Sequence, residues 1–217
     1  MFNKREIEQK IAQFLLQIKA IKIQPDNPFT WASGWKSPVY CDNRIVLSHP
    51  SIRTYIRQKL TELVQEEYGS VALIAGVATA GIPQGALVAQ ELGLPFVYVS
   101  AIPAELGAKK MIEGEFFEGQ RVVVIEDLIS SGQSTIQAIE ALREAKCEVA
   151  GVVGVFSYGL DVAVQNFKDA KCRVSTLLTY DALIEYAADS ALIGSEDLKL
   201  LYQWRENPVE WGNLALT

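Results

Sequence analysis

Five short runs of almost unbroken aliphatic residues constrain this chain more than anything else in it. They are VALIAGVA (71–78), LPFVYVS (94–100), RVVVIE (121–126), VAGVVGVFSY (149–158) and CRVSTLL (172–178). Residues 81–92, 133–146 and 160–170, which separate them, read as helices. A strand with apolar residues on both faces must be covered on both faces, and a helix between successive strands supplies the crossover that a parallel pair requires. The expected fold class is therefore α/β, an open, mostly parallel central sheet with helices on both faces.

The flanks complete the layout. Ile7, Ile11, Phe14, Leu15, Ile18 and Ile21 recur at helical spacing, predicting an amphipathic helix over 5–21. The Pro-, Gly- and Asn-rich stretch up to Arg44 reads as irregular chain with short extended pieces, and a second helix is expected over 51–67. Helices are also expected at 181–188 and 195–206. With 217 residues, of which 49% are hydrophobic, the chain fits one domain, 1–217, with residues 1–50 as a small N-terminal cap.

Several function classes recede on composition. A net charge of -6 opposes a general nucleic-acid surface. No apolar run approaches the length that spans a bilayer, and MFNKREIEQK lacks the apolar core of a secretory signal. Cys41, Cys147 and Cys172 are far apart, and His49 is the single histidine, so neither a zinc site nor a disulfide framework is expected. A reducing cytoplasm fits best.

The stretch VVVIEDLISSGQST, Val122 to Thr135, carries the chemistry. Its aliphatic strand runs into two adjacent carboxylates, Glu126 and Asp127, at the carboxyl edge of the sheet, where open α/β folds bind ligands. Two ionised carboxylates repel unless hydrogen-bond donors or a hydrated cation meet them. Ribose hydroxyls or a hydrated Mg²⁺ would serve. The small residues that follow open a helix whose N-terminal N–H groups and dipole favour an anion. Ser130, Ser131, Ser134 and Thr135 add hydroxyl donors. Either half alone is common as an acidic strand end or a helix cap. Both in this order imply one ligand with a sugar and a phosphate.

This stretch resembles the ribose-phosphate signature of type I phosphoribosyltransferases, which use 5-phosphoribosyl 1-diphosphate (PRPP). The likeness extends to FTWASGWKSPVYCDNR (29–44), AGVATAGIP (75–83), VFSYGL (155–160) and YDALIEYA (180–187), segments similar to those of orotate phosphoribosyltransferases. The resemblance implies the type I phosphoribosyltransferase fold, transfer of a phosphoribosyl group from PRPP to orotate, Mg²⁺ as cofactor and a homodimer. It assigns Glu126, Asp127, Leu128, Ile129, Ser130, Ser131, Gly132, Gln133 and Ser134, with Thr79 and Ala80, to PRPP. Mg²⁺ is reached through PRPP and waters near Glu126 and Asp127. Gly76 and Gly81 are expected to admit the diphosphate to the backbone. Ser130, Lys36 and Arg44 are assigned to orotate, and Trp31 and Trp35 are candidates for a wall beside the base.

Orotate phosphoribosyltransferases also carry a mobile loop with cationic residues that reach the diphosphate. Aligned through the flanking "YV" and "IEG", its four cationic positions fall on Ser100, Ala101, Ala104 and Leu106, all neutral. Lys109 and Lys110, a few residues on, are the candidates to supply that charge. Two readings follow: an orotate phosphoribosyltransferase with relocated lysines, and a non-catalytic or regulatory relative that binds PRPP or a nucleotide. A phosphoribosyltransferase for another base is a third.

Overall fold

The computed structural model describes residues 4–31, 34–100 and 111–214. The chain opens with α1 (Lys4–Gln17), then four short strands, β1 (Ile21–Ile23), β2 (Phe29–Thr30), β3 (Lys36–Ser37) and β4 (Val39–Cys41). A 3₁₀ turn, Asn43–Ser48, leads into α2 (Pro50–Tyr68). There follow β5 (Leu73–Val77), α3 (Gly81–Leu92), β6 (Phe96–Val99), β7 (Ile112–Glu113), β8 (Arg121–Ile129), α4 (Gln133–Glu144), β9 (Glu148–Ser157), α5 (Asp161–Asp169) and β10 (Val174–Thr179). Three helices close the chain: α6 (Tyr180–Asp189), α7 (Ser195–Glu206) and α8 (Pro208–Leu214).

Six strands form the central sheet in the order β10-β9-β8-β5-β6-β7. All neighbours run parallel except β6 and β7, which are antiparallel. The aliphatic runs explain this sheet directly. Along β8, Val123 and Ile125 face a core shared with Ile56 and Leu60 of α2 and Ile11 and Leu15 of α1. Val122 and Val124 face the opposite core, with Ile139 and Leu142 of α4 and Phe167 of α5. The two-residue period of a strand thus sends alternate valines into two separate apolar layers.

Three sequence expectations are corrected. The first helix stops at Gln17 rather than continuing to residue 21. Lys19 turns the chain with φ 58°, and Ile21, which shares the helical spacing, instead pairs with Cys41 in the β1–β4 ladder. Ile21 is buried as expected, but through a strand. Next, the acids do not emerge beyond their strand. β8 continues to Ile129, because β9 is long enough to pair with it as far as Ile129 opposite Ser157. Its other neighbour, β5, is last registered on β8 at Gly76 opposite Ile125. Glu126 and Asp127 therefore lie in a stretch of strand laddered on one side. Finally, β7 and α8 escaped the sequence reading, being too short or too near the end to show a period.

The start of α3 sits hard against this stretch. A Cβ added at Gly81 would lie 2.6 Å from the Ile125 carbonyl oxygen, so the space is used by protein. Gly76 is filled likewise, with the Gly81 carbonyl oxygen 2.8 Å from where its Cβ would be. Both glycines thus permit close contact between α3 and the strands. Replacing Gly81 by Ala is expected to destabilise the fold by about 1–3 kcal/mol through overpacking against backbone. A denaturant midpoint unchanged from that of the parent protein would contradict this packing.

Candidate active site

Glu126 and Asp127 are adjacent in β8, and their side chains interact directly with each other. Glu126 is buried, at 4% exposure. Its Oε2 accepts from the Thr135 hydroxyl at 2.9 Å, and its Oε1 from the Asp127 backbone N–H at 3.1 Å. Asp127 is half-buried. Burial, followed by the charge of Asp127, pushes the Glu126 carboxyl well above its usual range. Burial raises Asp127 as well. Burial and mutual repulsion thus favour protonation of the pair, of Glu126 most of all.

Thr135 corrects the sequence reading. Its hydroxyl was grouped with the phosphate donors, but it is buried and bonded to Glu126. It faces back from the first turn of α4 toward the strand, which ties the acid to the helix that follows it.

The turn Ser130–Gly132 joins the two. Gly132 precedes α4 with φ 75°, a left-handed conformation, and a Cβ there would meet the Phe167 ring at 2.7 Å. Glycine is required on both counts. The Ser131 carbonyl accepts from Asn166 Nδ2 at 2.9 Å, fixing the turn to α5. The first N–H groups of α4 have no intrahelical acceptor and stand at the positive end of its dipole. At the neighbouring strand end, Thr79 and Ala80 link β5 to α3, and the Ala78–Thr79 peptide is cis.

The N-terminal segment closes over the same edge of the sheet. Trp31 lies 4.8 Å from the Tyr158 ring and 5.8 Å from that of Trp204, centroid to centroid. Trp35 stacks on Trp31 at 6.4 Å. Tyr158 donates through its hydroxyl to the Val39 carbonyl at 3.2 Å, and the Trp204 indole N–H donates to the Lys36 carbonyl at 2.8 Å. The β2–β3 hairpin that carries Lys36 is thus held by α7 through Trp204, and β4, which follows it, by Tyr158 just past β9. Nothing in the sequence linked Trp204 to Lys36, because they are 168 residues apart.

The Lys36 ammonium donates to Thr30 Oγ1 at 2.7 Å. Arg44 forms a two-pronged pair with Asp42, Nε to Oδ1 at 2.7 Å and Nη2 to Oδ2 at 2.8 Å. Its guanidinium is exposed, and its charge lowers the Asp127 carboxyl slightly against the effect of burial. Ser100 follows β6, its backbone N–H bonded to the Met111 carbonyl at 2.8 Å. Ala101, Ala104, Leu106, Lys109 and Lys110 lie outside the described residues.

The raised acids set a pH dependence. Their folded values lie above the ordinary 4.5 of Glu and 3.8 of Asp. The native state therefore holds protons more tightly than the unfolded chain, and this contribution is complete below those ordinary values and lost as pH rises through the folded ones. Glu126→Gln removes the dependence. Its melting temperature relative to the parent protein should rise as pH increases above the ordinary Glu range, because the parent then loses the contribution of the raised carboxyl. A difference that stays flat with pH would show that Glu126 is ionised throughout.

Known proteins match this arrangement. The phosphoribosyl transferase domain family matches residues 43–178. An orotate phosphoribosyltransferase of Phocaeicola vulgatus is 52% identical over 207 residues, covering 95% of this chain and 98% of the relative. One from Listeria innocua is 47% identical over 206 residues, covering 95% and 99%. Among solved structures, Leishmania donovani UMP synthase superposes with a TM-score of 0.77 at 26% identity, over 92% of this chain and 42% of that one. Aeropyrum pernix orotate phosphoribosyltransferase superposes at 0.69 and 27% identity, over 81% and 97%. Extended over nearly the whole chain, with the buried acids and the glycine turn inside the matched region, this likeness shows that the chain belongs to the orotate phosphoribosyltransferase branch of the phosphoribosyltransferase family.

Proposed function

We propose that this protein transfers the 5-phosphoribosyl group of PRPP to N1 of orotate, a step of pyrimidine nucleotide synthesis. The bond from C1 of the ribose to the diphosphate oxygen breaks, the bond from C1 to N1 forms and the N1 proton passes to the departing diphosphate or to water, giving diphosphate and orotidine 5′-monophosphate. The observation that carries this reading is the buried Glu126–Asp127 pair leading straight into a glycine turn and a helix N-terminus. Relatives named orotate phosphoribosyltransferase and matched almost end to end support it.

Asp127, with Glu126 behind it, receives the ribose hydroxyls. The segment from Leu128 and Ile129 through Ser130, Ser131, Gly132, Gln133 and Ser134 receives the 5-phosphate, the serines with hydroxyls and the start of α4 with N–H groups. Thr79 and Ala80 face the diphosphate. Orotate sits under residues 1–50, which act as the cap, with Ser130 beside it and Lys36 and Arg44 attracting its carboxylate. The aromatic wall of Trp31 and Trp35 supplies the apolar side of that pocket.

The transition state is oxocarbenium-like, so these groups act by holding C1 in line between N1 and the leaving oxygen, and by stabilising departing charge. Among the described residues no three His, Cys, Asp or Glu side chains come together to cage a metal. The acid pair suits a hydrated Mg²⁺ held through PRPP and water, since burial and mutual repulsion leave it short of positive charge. Mg²⁺ supplies charge neutralisation on the diphosphate when bound. Lys109 and Lys110 provide further positive charge there, in place of the neutral positions 100, 101, 104 and 106. The working assembly is a homodimer in the cytoplasm. Its free cysteines suit a reducing compartment, and among the described residues no helix is long and apolar enough to cross a membrane.

Orotate depletion in the presence of PRPP and Mg²⁺ tests the reaction, and absence of turnover with intact PRPP binding would overturn it in favour of a binding protein. Lys109→Ala with Lys110→Ala should lower kcat by about 10²–10³. A kcat within a few fold of the parent would place the diphosphate-stabilising charge elsewhere. Asp127→Asn should weaken PRPP binding about tenfold or more by calorimetry, as the loss of hydrogen bonds to a charged group predicts.

A further inference from the structure

Asn43 is buried, with 1% exposure, and lies at the start of the 3₁₀ turn just after the β4 strand of the N-terminal segment. Its Nδ2 donates to the backbone carbonyl of Asp127 at 2.6 Å. That carbonyl lies past Ile125, the last residue of β8 registered opposite β5. Where the second ladder stops, a side-chain amide from 84 residues away is bonded to the strand.

The other end of this amide is unusual. Asn43 Oδ1 is buried and has no hydrogen-bond partner. A buried unpaired acceptor costs about 1–3 kcal/mol, so a residue serving only to fill space would be better apolar. Rotating the amide would not relieve the cost, because it would set Oδ1 against the Asp127 carbonyl oxygen. The backbone carrying Asn43 is itself fixed. Asp42 accepts from the Arg44 N–H at 3.1 Å and grips the Arg44 guanidinium, which caps the turn. The amide is therefore an anchored donor aimed at one peptide group, the one that bears the Asp127 carboxylate.

We propose that Asn43 is a positioning residue for sugar binding. It fixes the Asp127 peptide where β8 has lost its β5 neighbour, and so sets the position at which the Asp127 carboxylate meets the ribose. It also ties the N-terminal segment that carries Lys36 and Arg44 to the acid pair, so that the base and sugar halves of the site keep one register. This rests on the reading of Asp127 as the ribose-holding carboxylate.

A double-mutant cycle separates the two ideas, with PRPP as the titrated ligand in calorimetry. Asn43→Ala should weaken PRPP binding about tenfold in the parent background and less than about twofold when Asp127 is already Asn, because the amide acts through that carboxylate. A residue needed only for stability would lower the melting temperature and weaken PRPP equally in both backgrounds, which would overturn the proposal. Unchanged PRPP affinity in Asn43→Ala would overturn it too. Unchanged affinity in Asp127→Asn alone would instead defeat the ribose assignment beneath it. Should Asn43→Ala fold poorly, Asn43→Asp keeps the shape and replaces the donor by an acceptor. The same background-dependent loss is expected there, and its absence would overturn the proposal.

Discussion

The site depends on keeping a carboxylate inside an apolar strand. Glu126 follows four residues buried to the last atom, and it remains almost wholly buried itself. An ionised carboxylate there loses most of its hydration, a cost that falls only if the charge is neutralised, shared or bonded. The fold supplies bonds from the Thr135 hydroxyl and the Asp127 N–H, while burial still pushes the Glu126 carboxyl up.

That arrangement explains why neighbouring elements come so close. α3 seats against the Ile125 carbonyl through Gly81, and α4 returns Thr135 to the acid as soon as the Gly132 turn permits. The long β9 keeps the acid-bearing segment extended after β5 has ended, and Asn43 is bonded to the Asp127 carbonyl beyond that point. The Gly81 and Asn43 contacts restrain the backbone of this segment, and the Thr135 bond restrains the acid itself.

Much of this was legible in the sequence, and the reason is locality. The sheet announced itself because buried parallel strands read as aliphatic runs, and the acid pair, the glycine turn and the start of α4 follow one another in one continuous stretch from Glu126 to Ser134. What stayed hidden depends on contacts across long separations or on direction. The bond from Trp204 to the Lys36 carbonyl and that from Asn43 to the Asp127 carbonyl have no signature in either local sequence. Thr135 was legible as a donor but not in its direction, since a hydroxyl at a helix start serves an outside anion or an inside acid equally well. Ile21 shows the converse limit: its burial followed from spacing, yet strand and helix periods coincide over so few residues that the element was misassigned.

The same contrast separates two parts of this edge of the sheet physically. The stretch from Glu126 into α4 is built from one strand, one turn and one helix, so most of its geometry is fixed by backbone. The N-terminal segment over it is instead held by side chains from far along the chain, Tyr158 and Trp204, bonding to carbonyls of Val39 and Lys36. Side chains set its position, and a substitution more than a hundred residues away can move it. Asn43 lies on the seam between the two, its amide bonded to the Asp127 carbonyl.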